Sequence, residues 1–257
     1  MCGRYAAAKD PDALVEEFEV DESLVAQPLA DDYNVAPTKR VYAVLQHKPK
    51  DAPADAVIPR QLRVAKWGLV PSWAKDPAIG SRMINARVET IADKPAFKRA
   101  FAARRCLLPA DGYFEWYTPK DVADVPRTAK GKPRKQPFFI HSDDGSSLAM
   151  AGLYEWWHDP SGDRDDPESW LLTTTVITTA ASELVSHIHD RMPLVVARAD
   201  WSRWLDPDLK DAGLLADVLE PAASAHLVAY PVSTAVNDVR HNGPELIDPL
   251  PVVDDGP

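Results

Sequence analysis

Four apolar runs follow one another between Arg105 and Ala181: "RCLLPADGYFEWY", the two halves of "QPFFIHSDDGSSLAMAGLYEWW", and "WLLTTTVITTAA". They are rich in β-branched and aromatic side chains, which fit a pleated, half-buried surface. Strands in this order do not give the regular strand–helix–strand alternation of a doubly wound fold. Asp143-Asp144-Gly145 between the second and third runs predicts a β-hairpin over 136–157. Further strands are expected in "YNVAPTKRVYAVLQ" after a turn, in "RVAKWGLVPSW" ended by Pro71, and in "HLVAYPVS".

Helical signals are scattered between these runs. In "KDPDALVEEFEV", Asp10 reads as an N-cap and Pro11 as the first helical residue. Apolar spacing in "ADKPAFKRAFAARR" predicts a helix from Pro95 to Arg104. "SELVSHIHD" reads as a short helix or turn, and "DWSRWL" as a helix capped by Asp200. The expected class is α+β: a single domain with a mixed, mostly antiparallel, barrel-like β-sheet core and scattered flanking helices. The domain is expected over 2–248, with a proline-rich C-terminal tail over 249–257. Residues 118–136, rich in Pro, Lys and Arg, read as a mobile hairpin tip.

Composition excludes several classes. No apolar run reaches eighteen residues, so no membrane span is expected. The N-terminus lacks a basic region followed by an apolar stretch, so no secretory signal is expected. Two cysteines, Cys2 and Cys106, are too few for a disulfide framework or a thiolate metal cage, and no metal site is expected. Cys106, beside an apolar strand, is expected as a buried, inert thiol. The reducing cytoplasm is the expected compartment. Net charge is −10, but 17 Lys/Arg against 7 Asp/Glu lie between Arg60 and Lys135, and 12 against 32 elsewhere. A basic middle in an acidic chain is either an anion-binding face or one solvated loop.

The chain begins "MCGRY". Loss of Met1 before the small Cys2 would leave an α-amine and a thiol on adjacent carbons. An α-amine has a pKa of about 7.7–8.0 against about 10.4 for lysine, so far more of it is neutral at pH 7. It forms a Schiff base with an aldehyde without needing burial. The thiol then closes onto the imine carbon as a five-membered thiazolidine, helped by a large effective molarity. Two alternatives stand beside this: an N-terminal-nucleophile cysteine peptidase or amidohydrolase, or a small second residue that does nothing beyond permitting Met removal.

"CGRY", "YNVAP", "INARVET", "LLPADGYFEW" and "HIHDRMPLVV" occur in this order, followed by "YPVSTAVNDVRHNGPELI". Together they resemble the SRAP family, the SOS-response-associated peptidase proteins that process abasic sites in single-stranded DNA. The resemblance runs from Cys2 to about Ile247. It implies a crosslink between Cys2 and the ring-opened aldehyde of the abasic site, a thiazolidine that shields the lesion. It implies lyase-like Schiff-base chemistry, with the peptidase label referring to self-processing removal of Met1. The catalytic set it implies is Cys2, Asn85, Glu115 and His189. The DNA-binding set is Arg4, Asn34, Pro37, Trp73, Arg87 and Arg191. No cofactor is implied. The expected partner is single-stranded DNA containing abasic sites, bound by a cytoplasmic monomer that joins the nucleoid when on DNA.

The residue types suit those roles. Glu115 lies between Phe114 and Trp116, where desolvation could bring a carboxyl into the working range for proton transfer; a salt bridge or solvent-facing position is the plain alternative. His189 titrates near neutrality, although His187 stands only two residues away. Asn85 can donate and accept at once, or serve a turn. Arg4, Arg87 and Arg191 can fork phosphates or pair with surface carboxylates. Trp73 and the Pro37 turn can stack on splayed bases, or Trp73 can pack in the core. A non-catalytic reader of single-stranded DNA is the remaining rival.

Overall fold

The computed structural model describes residues 2–49, 51–119, 127–220 and 226–251. In chain order the strands are β1 (Tyr5–Ala7), β2 (Glu22–Ser23), β3 (Asp32–Val35), β4 (Arg40–Gln46), β5 (Arg60–Trp67), β6 (Asn85–Arg87) and β7 (Arg105–Ala110). They continue with β8 (Gly112–Tyr117), β9 (Gln136–Ser142), β10 (Leu148–His158), β11 (Trp170–Ala180), β12 (Arg191–Pro193) and β13 (Leu227–Pro231). Four short α-helices flank them: α1 (Pro11–Glu17), α2 (Lys98–Ala103), α3 (Glu183–Ser186) and α4 (Trp201–Leu205).

One sheet closes on itself. β4 pairs with β5 and β7, β7 with β10, β10 with β11, and β11 returns to β5 in parallel. Closure removes the free edges of this five-strand ring and makes it barrel-like. β2 joins β5, while β6 and β12 both join β11. The second sheet is antiparallel, in the order β13-β9-β8-β1-β3. Successive strand side chains face opposite ways, so each strand serves two cores. Val41, Ala43, Leu45, Cys106, Leu108 and Met150 pack with Cys2 and with Tyr5 and Tyr113 of the second sheet. Their neighbours Tyr42, Val44, Leu107, Ala149 and Ala151 pack under Leu14, Phe18, Phe101, Trp201 and Trp204.

The α+β, mostly antiparallel, barrel-like expectation therefore holds, but several local expectations do not. β9 and β10 are not a hairpin: the turn at Gly145 (φ 74°) is present, yet β9 pairs with β8 and β13 while β10 pairs with β7 and β11. The chain likewise crosses between sheets at Asp111, splitting "RCLLPADGYFEWY" into β7 and β8. Asp111 is tied into the second sheet by its amide, which donates to the Ala6 carbonyl (2.8 Å), and by its carboxylate, which accepts from the Ala8 amide (2.6 Å). The strand expected to run to Pro71 ends at Trp67, because Gly68 turns at φ 129°. Tyr33 to Val35 belong to β3 rather than to a turn. The α2 helix starts at Lys98 rather than Pro95, after a turn closed by the Phe97 amide on the Lys94 carbonyl (2.9 Å). Asp10 caps α1 as expected, accepting from Asp12 and Ala13, whereas the Asp200 side chain makes no cap bond on α4. Of the 118–136 segment, residues 120–126 lie outside the described residues. Leu250, in the expected tail, donates its amide to the Pro231 carbonyl (2.9 Å).

Candidate functional site

Cys2 is fully buried in the core shared by the two sheets. It stands just before β1, and the β1–β8 register pairs Tyr5 with Tyr113, so Tyr113 and, two residues on, Glu115 share the Tyr5 face. Burial pushes the Cys2 thiol far up, and the Glu115 carboxylate pushes it further. The Tyr113 phenol is raised by burial and by the fields of Cys2 and Glu115. Its buried oxygen has no hydrogen-bond partner among the described residues. Cys2, Tyr113 and Glu115 thus form one low-dielectric cluster.

Asn85 reaches this cluster from β6, whose parallel pairing with β11 sets it opposite Val176. Its Nδ2 donates to the Cys2 carbonyl at 2.8 Å. Its Oδ1 is buried and accepts no hydrogen bond among the described residues. The loop leading into β6 is held from several sides. Gly68 and Gly80 pack so closely that a Cβ on either would stand 2.5–2.6 Å from the other's carbonyl oxygen. The Leu69 amide donates to the Met83 carbonyl (3.1 Å), and Trp67 Nε1 to the Ile84 carbonyl (2.9 Å). Trp157 Nε1 binds the Ala74 carbonyl (2.7 Å), so the loop that exposes Trp73 (57% accessible) is anchored beside it.

Glu115 and His189 line one open cleft of about 990 Å³, together with Trp116, Asn237 and residues 128–135. Nδ1 of His189 lies 3.0 Å from the Arg191 amide and 2.9 Å from the Asp190 carboxylate. The Arg191 guanidinium forks Glu89 and donates to the Thr178 carbonyl (2.6 Å). This ion pair holds the Glu89 carboxyl below its ordinary range. Arg87, exposed on β6, pairs in register with the same Thr178. The end of β11 therefore gathers Asn85, Arg87 and Arg191.

Arg4 and Asn34 meet on the opposite face of the second sheet. Arg4 Nη1 donates to Asn34 Oδ1 (2.6 Å) and to the Val236 carbonyl (2.8 Å), and its guanidinium lies 5.8 Å from the Trp116 ring centre. Asn34 is fully buried, and its Nδ2 donates to the carbonyls of Val236, Asp238 and His241. Its side chain is thus committed to holding the 234–241 segment, which places Asn237 in the cleft. Pro37 stands apart on the turn between β3 and β4, where Thr38 adopts φ 74°. Cys106 is buried with its thiol pushed up to about 12 by desolvation. Among the described residues no cluster of three or more His, Cys, Asp or Glu could hold a metal ion, and no helix is long and apolar enough to cross a membrane.

The family described as SOS response associated peptidase (SRAP) matches residues 1–239. The chain belongs to the SRAP family. Its relatives include a Bacillus subtilis protein named abasic site processing protein YoqW, 35% identical over 96% of this chain and 99% of that one. Another is the Escherichia coli abasic site processing protein YedK, 32% identical over 97% and 100%. The fold is similar to a crystal structure of a Bacteroides thetaiotaomicron protein (TM-score 0.75, 23% identity, 97% of this chain and 100% of that one). A phage-related protein of Bordetella bronchiseptica is also similar (TM-score 0.61, 27% identity, 90% and 94%).

Within this SRAP chain, sequence reasoning had no means of finding Tyr113, Glu89 or Thr178. Tyr113 sits inside the quoted "DGYFEW" and its alternation with Glu115 is a readable signal once β8 is known. The Glu89–Arg191 pair spans about a hundred residues and left no local trace.

Proposed function

We propose that this protein captures abasic sites in single-stranded DNA through Cys2 once Met1 has been removed. The observation that carries the reading is the Cys2 environment: a thiol kept protonated by burial and by Glu115, next to a carbonyl held by Asn85. A protonated thiol is a poor first nucleophile, which favours attack by the α-amine and disfavours a thiol peptidase. The names of the relatives support an abasic site as the substrate.

The amine nitrogen adds to the C1′ aldehyde of the ring-opened sugar, giving a carbinolamine. Loss of the hydroxyl as water needs one proton delivered to oxygen and one removed from nitrogen, and leaves the imine. The thiol then adds to the imine carbon, its proton passes to nitrogen, and the thiazolidine closes; water is the one molecule released. Glu115 is the group in range of both the thiol and the cleft, suited to carry these protons. His189, across the same cleft, suits the sugar hydroxyl. Asn85 Oδ1 offers an acceptor for an amine N–H, and Arg87 and Arg191 suit phosphates on the flanking strand.

The test is untagged, Met1-processed protein incubated with single-stranded DNA carrying one abasic site and run on a denaturing gel. A heat-stable band is expected that requires both Cys2 and the aldehyde, so Cys2→Ala and methoxyamine each abolish it. Absence of any covalent species with Met1 verified as removed overturns the reading.

A further inference from the structure

Acids outnumber bases 39 to 29 in this chain, and across much of its surface they meet. Lys9 pairs with Glu17, Lys39 with Asp32, Lys48 with Asp208, Arg198 with Glu19, Arg203 with Asp217 and Arg240 with Asp238. The stretch Arg127–Lys135, "RTAKGKPRK", departs from this pattern with five bases and no acid.

It is a built turn. Arg127 bridges to Pro133, the Thr128 amide donates to the Lys132 carbonyl (2.8 Å), and the Gly131 amide donates to the Thr128 carbonyl (2.8 Å). Gly131 takes φ 73° at the tip, and Arg127 Nη1 ties back to the Gly131 carbonyl (2.9 Å). Lys130, Lys132, Arg134 and Lys135 are exposed and line the cleft that contains Glu115, Trp116, His189 and Asn237. Among the described residues none of these four cations is in an ion pair. Four cations lining one cleft focus a positive potential into it. They come from positions 130 to 135 of one turn and line a cleft of about 990 Å³, far larger than a single phosphate, which fits a linear polyanion better. Trp116 in the same cleft adds a surface on which a base can stack.

We propose that hairpin 127–135 grips the phosphate backbone of the DNA strand as it crosses the cleft, making sequence-independent contacts through Lys130, Lys132, Arg134 and Lys135. The proposal rests on the single-stranded DNA reading above. It explains how a chain of net charge −10 accepts a polyanion: the grip is local, and binding is steeply salt-dependent.

The test compares wild type with the variant Lys130→Ala, Lys132→Ala, Arg134→Ala, Lys135→Ala. Binding to a single-stranded oligonucleotide carrying tetrahydrofuran, an abasic analogue without an aldehyde, is followed by fluorescence anisotropy over a salt series. Each lost single-strand phosphate contact lowers the slope of log K against log salt by about 0.7, so a drop of about 1.4 to 3 is expected. The pair variant Lys130→Gln, Lys132→Gln, with matching circular dichroism, should give roughly half that drop. A control variant, Lys98→Ala with Arg99→Ala on α2, should leave the slope unchanged. Equal slopes for wild type and the quadruple variant overturn the proposal. Crosslinking of true abasic DNA is read separately, with wild-type protein at saturating DNA. If wild type forms no crosslink while the slopes still differ, the abasic reading fails and the hairpin grip stands. If crosslinking proceeds and the slopes are equal, only the grip fails.

Discussion

Asn85→Ala is the sharpest probe of the proposed site, because one 2.8 Å hydrogen bond joins β6 to Cys2. Removing it costs folding stability modestly: a net hydrogen bond contributes about 0.5–1.5 kcal/mol. Deleting the buried Oδ1, which has no partner among the described residues, returns part of that. A loss of about 1 kcal/mol corresponds to a fall in Tm of about 2–4 °C for a domain of this size. The effect on crosslinking should be larger. The Cys2 carbonyl lies on the residue that carries both the amine and the thiol, and releasing it lets the amine wander from its line of attack. A misplacement of about 1 Å can cost on the order of a hundredfold in rate, so a 10- to 100-fold slowing is expected, about 1.4–2.8 kcal/mol in the barrier. Asn85→Asp keeps the size but sets a carboxylate oxygen against the Cys2 carbonyl, and should be slower than Asn85→Ala. The assay is single-turnover crosslinking at saturating abasic DNA, with anisotropy on the tetrahydrofuran strand as the binding control. An Asn85→Ala variant that crosslinks at the wild-type rate refutes the positioning argument. One that loses DNA affinity in step with its rate shows Asn85 acting on DNA instead.

Three other outcomes follow from the geometry. Gly80→Ala would set a Cβ 2.5 Å from the Gly68 carbonyl, so overpacking should cost about 1–3 kcal/mol and lower Tm by several degrees; an unchanged melting curve contradicts the close approach. Tyr113→Phe removes a buried hydroxyl without a partner among the described residues and should leave stability unchanged or raise it, since an unmet buried group costs about 1–3 kcal/mol; a marked loss in a denaturant titration would reveal a bond the hydroxyl makes. The crosslinking rate should rise with pH as the α-amine loses its proton, through about pH 7.7–8.0. The thiol, whose folded value lies above its ordinary one, stays protonated across that window and adds no limb; a rate that keeps climbing in step with thiolate formation shows the sulfur attacking first.

The amino-acid order alone determined the chemistry available at Cys2, the local elements and the motif series that carries the family. Asp10-Pro11 starts a helix and "WLLTTTVITTAA" makes a strand because capping and β-branching act within a few residues. Tertiary structure decided which strands pair and which groups lose water. β9 and β10 are joined by a hairpin-like turn yet enter different sheets: β9 lies between β8 and β13, and β10 between β7 and β11. "GYFEWY" shows Glu115 between aromatics, but only the β1–β8 register turns it toward Cys2 and Tyr113. Asn34 reads as a polar turn residue, and folding spends its amide on three carbonyls more than 200 residues away. Asn85 meets Cys2 across 83 positions. Local propensity is a property of neighbours in sequence. Desolvation and charge compensation are properties of neighbours in space, and the site depends on both.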